Sequence, residues 1–107
     1  MNRKDLIQSR RLEILALAEK HGAYDVRIFG SVARGEDDEK CDIDILIKRK
    51  HGFSLLVHAG LINDLEDLLS CKVDVATEMG LKAIVKDRVL KEAVPLREVT
   101  KNAFKIF

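Results

Sequence analysis

Phe29-Gly-Ser-Val-Ala-Arg-Gly-Glu-Asp-Asp-Glu-Lys-Cys-Asp-Ile-Asp-Ile-Leu-Ile47 is the stretch on which the fold turns. It begins at the end of an apolar run, Val26 to Phe29, that reads as a short strand and breaks at Gly30-Ser31. Val32 to Arg34 suits one helical turn, closed by Gly35 and an acidic loop. From Asp42 to Ile47 carboxylates alternate with isoleucine and then give way to apolar residues, the period of a strand. The link from Phe29 to Ile43 is too short for a long crossover helix, so these two strands are expected to pair antiparallel within a mixed sheet.

Working outward, residues 4–20 read as one helix. Leu6, Leu12, Leu15 and Ala16 form its apolar face, Ile14, Leu17 and Ala18 widen it, and Gly22 stops it. Past Gly52, Ser54 can cap a helix over 55–69, with Leu55, Ala59, Ile62, Leu65 and Leu69 as its stripe. Lys72 to Ala76 is a third strand. Residues 81–93 read as a last helix, with Leu81, Ile84, Val85, Val89 and Ala93 inward, ended by Pro95. Residues 96–107 are left for an edge strand or tail. The expectation is an α/β (α+β) chain with a small mixed sheet and helices packed on it. No repeat, low-complexity stretch or linker divides the 107 residues, so residues 1–107 are expected to form a single domain.

Charge narrows the function. With 19 basic and 18 acidic residues the net charge is only +1, which gives no bulk-charge reason to expect direct nucleic-acid binding. Glu36 to Glu39 read as a solvated acidic loop, and the last third, from Lys82 to Lys105, is more basic. Cys41 and Cys71 have no metal-ligand spacing and make no disulfide framework. The opening Met1-Asn-Arg-Lys-Asp5 leads into a charged helix rather than a secretory leader. No apolar run nears the roughly 20 residues of a membrane span. The expected setting is the cytoplasm, with reduced thiols and no membrane partner.

Gly30 allows a close approach, and amides at the helical turn after it can face an anion, with the Ser31 hydroxyl as a further donor. The pair alone reads more readily as an ordinary serine-capped turn. Asp42 and Asp44, at i and i+2, face one side of a strand roughly 6.6 Å apart. Two carboxylates so placed repel unless a cation lies between them, and oxygen-only ligands suit Mg²⁺. Asp74, between Val73 and Val75, joins them if the third strand lies beside the second; otherwise it is a strand-end aspartate in water. Three carboxylates, two metal ions and a triphosphate are the ingredients of two-metal phosphoryl transfer. Asp42 and Asp44 would then hold Mg²⁺ against the triphosphate, and Asp74 would bind a second ion or take the acceptor's proton. Arg34 either reaches a phosphate or pairs with Glu36 or Asp38. His21, His51 and His58 show no ligand spacing and read as structural or solvated, and Tyr24 is assigned no chemistry.

Gly30-Ser31, ten residues, then Asp42-Ile-Asp44 resembles the signature of the DNA polymerase beta-like nucleotidyltransferases. Arg27-Ile-Phe-Gly-Ser-Val-Ala-Arg-Gly35 and Lys72-Val-Asp-Val75 are similar to the minimal nucleotidyltransferase (MNT) branch, and the likeness runs over about residues 4–95. The resemblance implies a nucleotidyltransferase antitoxin that moves AMP from ATP to a tyrosine of a HEPN-domain ribonuclease toxin and so silences it. One residue departs from the pattern: Cys41 stands where the family usually has serine, and a thiol is the weaker donor. Two other readings stay open, a binding module that silences a toxin by covering it, and transfer to a small-molecule hydroxyl, for which the chain has little room.

Overall fold

The computed structural model describes residues 3–35 and 42–96. In chain order these form α1 (Arg3–Ser9), α2 (Arg11–Lys20), β1 (Ala23–Phe29), α3 (Gly30–Ala33), β2 (Ile43–Arg49), α4 (Leu55–Leu69), β3 (Val73–Thr77), a 3₁₀ turn (Glu78–Gly80), α5 (Ala83–Glu92) and β4 (Val94–Pro95). The four strands lie in the order β3-β2-β1-β4. β1 pairs antiparallel with β2 and with β4, and β2 pairs parallel with β3. The sheet is mixed, as the short link after Phe29 requires.

One face of this sheet makes the core. Ile43, Ile45 and Ile47 of β2, Val73 and Val75 of β3, and Val26 and Ile28 of β1 pack with Ile7, Ile14 and Ala18 of α1 and α2 and with Leu61, Leu65 and Leu69 of α4. Full burial of an isoleucine or leucine side chain contributes roughly 1.5–3 kcal/mol, so this cluster is what holds the sheet to the helices. Ala23 shares that face with Val26 although the two are three positions apart. A β-bulge between Tyr24 and Arg27, with Asp25 at φ 50°, inserts the extra residue that keeps both inward. The other face carries Asp44 and Lys48 of β2 and Asp74 of β3.

Several expectations are corrected. The helix over 4–20 is two helices, broken at Arg10 (φ −109°, ψ 15°). The Ser9 hydroxyl donates back to the Leu6 carbonyl at 2.8 Å, a local bond that bends helices. α4 begins and ends where expected, and Ser54 caps it by accepting from the Val57 amide at 3.2 Å. Its buried row, however, is Leu61, Leu65 and Leu69, which continues back through half-buried Val57 and His58 and turns Leu55 out to 86% exposure.

In α5 only Val89 is buried, and Ile84 is 89% exposed. The helix lies against α3 rather than over the main core, so a wide apolar stripe has nothing to cover. Pro95 does not simply stop it. The residue before a proline favours extended backbone, and Val94–Pro95 form the edge strand β4 on β1, continued by the Leu96 amide donating to the Val26 carbonyl at 2.9 Å. The edge strand thus precedes the segment expected to hold it, and residues 97–107 lie outside the described residues.

Candidate active site

The β2–β3 register places the carboxylates. Asp44 stands opposite Asp74 across the parallel pair, and Asp42 lies two residues upstream of Asp44 at the entrance of β2. Neighbouring strands are about 4.8 Å apart, so all three side chains leave one patch of the open face. The three differ in burial. Asp42 and Asp74 are exposed, Asp44 is half-buried, and among the described residues no polar side chain is fully buried. The reason is that α1, α2 and α4 cover the opposite face of the sheet.

Burial pushes the Asp44 carboxyl up to about 6, and the charges of Asp74, Asp42 and Glu92 push in the same direction against a smaller pull from Arg34. Asp44 therefore sits where negative charge is concentrated. Gly30 is part of the reason. At φ +75° it turns the chain out of β1 into α3, and a Cβ there would lie 2.2 Å from Asp44 Oδ2. Only a glycine lets the loop close onto the carboxylate.

Ser31 follows, half-buried, in the first turn of α3, and Arg34 ends that turn. Arg34 pairs with Glu92, the last residue of α5. The same carboxylate accepts the Gly30 amide at 3.0 Å. Burial pushes the Glu92 carboxyl up, but the bonds from Arg34 and Gly30 and nearby positive charge outweigh it, so it stays below its ordinary value. Glu36 and Asp38, the expected partners of Arg34, and Cys41 lie outside the described residues.

The chemistry of the donor set fits a hard cation, since Asp42, Asp44 and Asp74 offer carboxylate oxygens alone. Among the described residues no three such side chains converge tightly enough to form a closed ligand cage.

The nucleotidyltransferase domain model matches residues 13–96, a span that contains all of β1, α3, β2 and β3. The chain belongs to the nucleotidyltransferase domain family. A candidate protein adenylyltransferase of Methanocaldococcus jannaschii is 42% identical over 88 residues, 82% of this chain and 95% of that protein. A solved candidate minimal nucleotidyltransferase superposes with a TM-score of 0.80 at 45% identity, over 87% of this chain and 95% of the other. A complex of a tri-AMPylated Shewanella oneidensis HEPN toxin with its MNT antitoxin contains a chain matching at TM-score 0.66 and 17% identity, over 92% of this chain and 77% of that one. At that identity the last match speaks for the fold alone.

Within this minimal nucleotidyltransferase fold, the six residues expected at the site, Gly30, Ser31, Arg34, Asp42, Asp44 and Asp74, all gather around the β1–α3 turn and the adjoining strands. The residue that sequence reasoning missed is Glu92. A signal was present: a carboxylate in the last turn of a helix opposes the macrodipole, so its place there calls for a tertiary partner. His58 and His21 are structural. His58 Nε2 donates to the Val75 carbonyl at 2.7 Å, and His21 Nε2 bonds Asp64 at 2.6 Å, tying α2 to α4. Cys71 is free and half-buried, and burial raises its thiol pKa. Among the described residues no helix is long and apolar enough to cross a membrane.

Proposed function

We propose that this chain is a Mg²⁺- and ATP-dependent protein adenylyltransferase of the antitoxin kind, moving AMP from ATP to a tyrosine hydroxyl of a HEPN ribonuclease toxin in the cytoplasm. The observation that carries the reading is the side-by-side placement of Asp44 and Asp74, with Gly30 closed onto Asp44. The name of the Methanocaldococcus relative supports protein adenylylation, and the Shewanella complex, which shares the fold, is the precedent on which a HEPN toxin is proposed as acceptor.

In this reading the Gly30 amide, the Ser31 hydroxyl and the Arg34 guanidinium hold the triphosphate, as charge-assisted donors do. Asp42 and Asp44 would hold Mg²⁺ beside it, and Asp74 would either bind a second ion or take the acceptor's proton. Bound Mg²⁺ would supply electrostatic stabilisation of the charge that develops on the transferring phosphoryl oxygens. The tyrosine oxygen forms a bond to the α-phosphorus, the bond from that phosphorus to the bridging oxygen breaks, and pyrophosphate leaves. The phenolic proton goes to Asp74 or to solvent.

The test is direct. A HEPN protein encoded beside this chain is incubated with it, labelled ATP and Mg²⁺, and the toxin is mapped by mass spectrometry. Tyrosine-linked AMP that disappears in the folded Asp42→Asn/Asp44→Asn double variant is the expected result. Neutralisation of the toxin with no label, equally strong in that variant, would instead mean silencing by cover alone. Label on a small hydroxyl compound but never on protein would move the acceptor to that class.

A further inference from the structure

Glu92 holds the donors that the proposed triphosphate needs. Its Oε2 accepts the Gly30 amide at 3.0 Å and its Oε1 accepts the Arg34 guanidinium. A carboxylate and a phosphate oxygen are interchangeable acceptors for such groups, and each N–H bond has room for one of them. Glu92 is well covered, with 15% of its side chain exposed, while Arg34 is 47% exposed. We propose that Glu92 is a tethered competitor of the nucleotide, which must leave the Gly30–Arg34 loop before a triphosphate can bind there.

This rests on the nucleotide-binding reading above and adds a control to the same site. Three features support it. The position works against α5 itself, because a helix C-terminus repels a carboxylate; what holds Glu92 is the loop. Glu92 also adds to the negative charge around Asp44, so its contact does not relieve the crowding of the aspartates. And the tether can release without unfolding anything. β4 begins two residues later and pins the backbone to β1, so a change of rotamer in the long Glu92 side chain is enough.

The competitor and a simple brace predict opposite signs. A brace that orients the loop for the nucleotide loses affinity when removed; a competitor gains it. Calorimetric titration with the Mg²⁺ complex of a non-hydrolysable ATP analogue, and separately with inorganic tripolyphosphate, is run on the wild-type chain, Glu92→Gln and Glu92→Ala. Circular dichroism melts without ligand accompany it. The expected result is binding tightened by about tenfold or more in Glu92→Ala, by less in the isosteric Glu92→Gln, with both variants melting below wild type when no ligand is present. Affinity that is unchanged or falls in both variants overturns the competitor role while leaving nucleotide binding standing. If neither ligand binds wild type or either variant, the nucleotide reading fails and takes the competitor with it. Should Glu92→Ala not fold, the sign measured for Glu92→Gln decides.

Discussion

Gly30 and Asp44 are in such close contact that a Cβ on the glycine would stand 2.2 Å from the aspartate's Oδ2. Loop and carboxylate are therefore placed by one another, and neither position can be altered alone.

Gly30→Ala tests this, with Gly35→Ala as its control. Both glycines have φ +75°, so both substitutions carry the same left-handed strain, about 1–2 kcal/mol. Among the described residues nothing lies within 4 Å of a Cβ at Gly35, whereas at Gly30 the Asp44 carboxylate must shift. The Gly30 variant is expected to melt below the Gly35 variant and to lose most nucleotidyl transfer, with the Gly35 variant keeping it. Equal melting points and equal transfer in the two would show that the Gly30–Asp44 contact does nothing.

Asp44 also sets a pH dependence. Its ordinary value of 3.8 is raised to about 6 by the fold. As pH rises between those values the unfolded chain gives up a proton that the folded chain keeps, so the unfolded state is favoured increasingly, and the penalty is complete above about 6. Asp44→Asn removes the ionisation. In buffer without divalent cations it should melt above wild type at pH 7.5, with a margin that shrinks as pH falls through 6 and vanishes near 4. Each kcal/mol appears as about 4–8 °C in a domain of this size. A margin that stays the same from pH 4 to 7.5 would mean that packing, not ionisation, separates the two proteins.

Much of this site was legible because strand arithmetic is strict. A two-residue period put Asp42 and Asp44 on one side, and the short link after Phe29 fixed the antiparallel pairing on which the register rests. Asp74 was legible only conditionally, since no local pattern says which strand a third one joins; the β2–β3 pairing decided it. The faces of α4 and α5 were misread because an apolar residue shows that a helix can be buried there, not which neighbour buries it. Leu55 and Ile84 found none. Glu92 lies 62 positions from Gly30, a pairing made by tertiary contact that no local spacing encodes.

Ser31→Ala should weaken triphosphate binding by about ten- to a hundredfold, the worth of one hydrogen bond to a charged group, roughly 1.5–3 kcal/mol. Ser31 opens the turn directly after Gly30, and losing its hydroxyl removes no buried apolar contact, so the melting point should hardly move. An unchanged dissociation constant in calorimetry would leave Ser31 as part of the turn and nothing more.

Asp74→Asn should lower the rate more than it lowers ATP affinity. Asp44 lies in β2 against Gly30 and Asp42 stands two residues before it, at the entrance of the strand, so the two can hold a metal-bound triphosphate between them. Asp74 comes from β3, on the side of Asp44 away from β1, and is the exposed member of the register pair. On that geometry Asp74 is the carboxylate we expect to face an incoming acceptor. A contact made mainly with the attacking hydroxyl acts in the transition state, so its loss lowers turnover and spares ground-state binding. Single-turnover transfer and equilibrium ATP binding measured on the same variant separate the cases. A rate falling by about a hundredfold or more, with affinity within a few-fold of wild type, is the expected outcome for general-base assistance. Rate and affinity falling together would make Asp74 a ground-state metal ligand. If neither moves, the site has two working carboxylates rather than three.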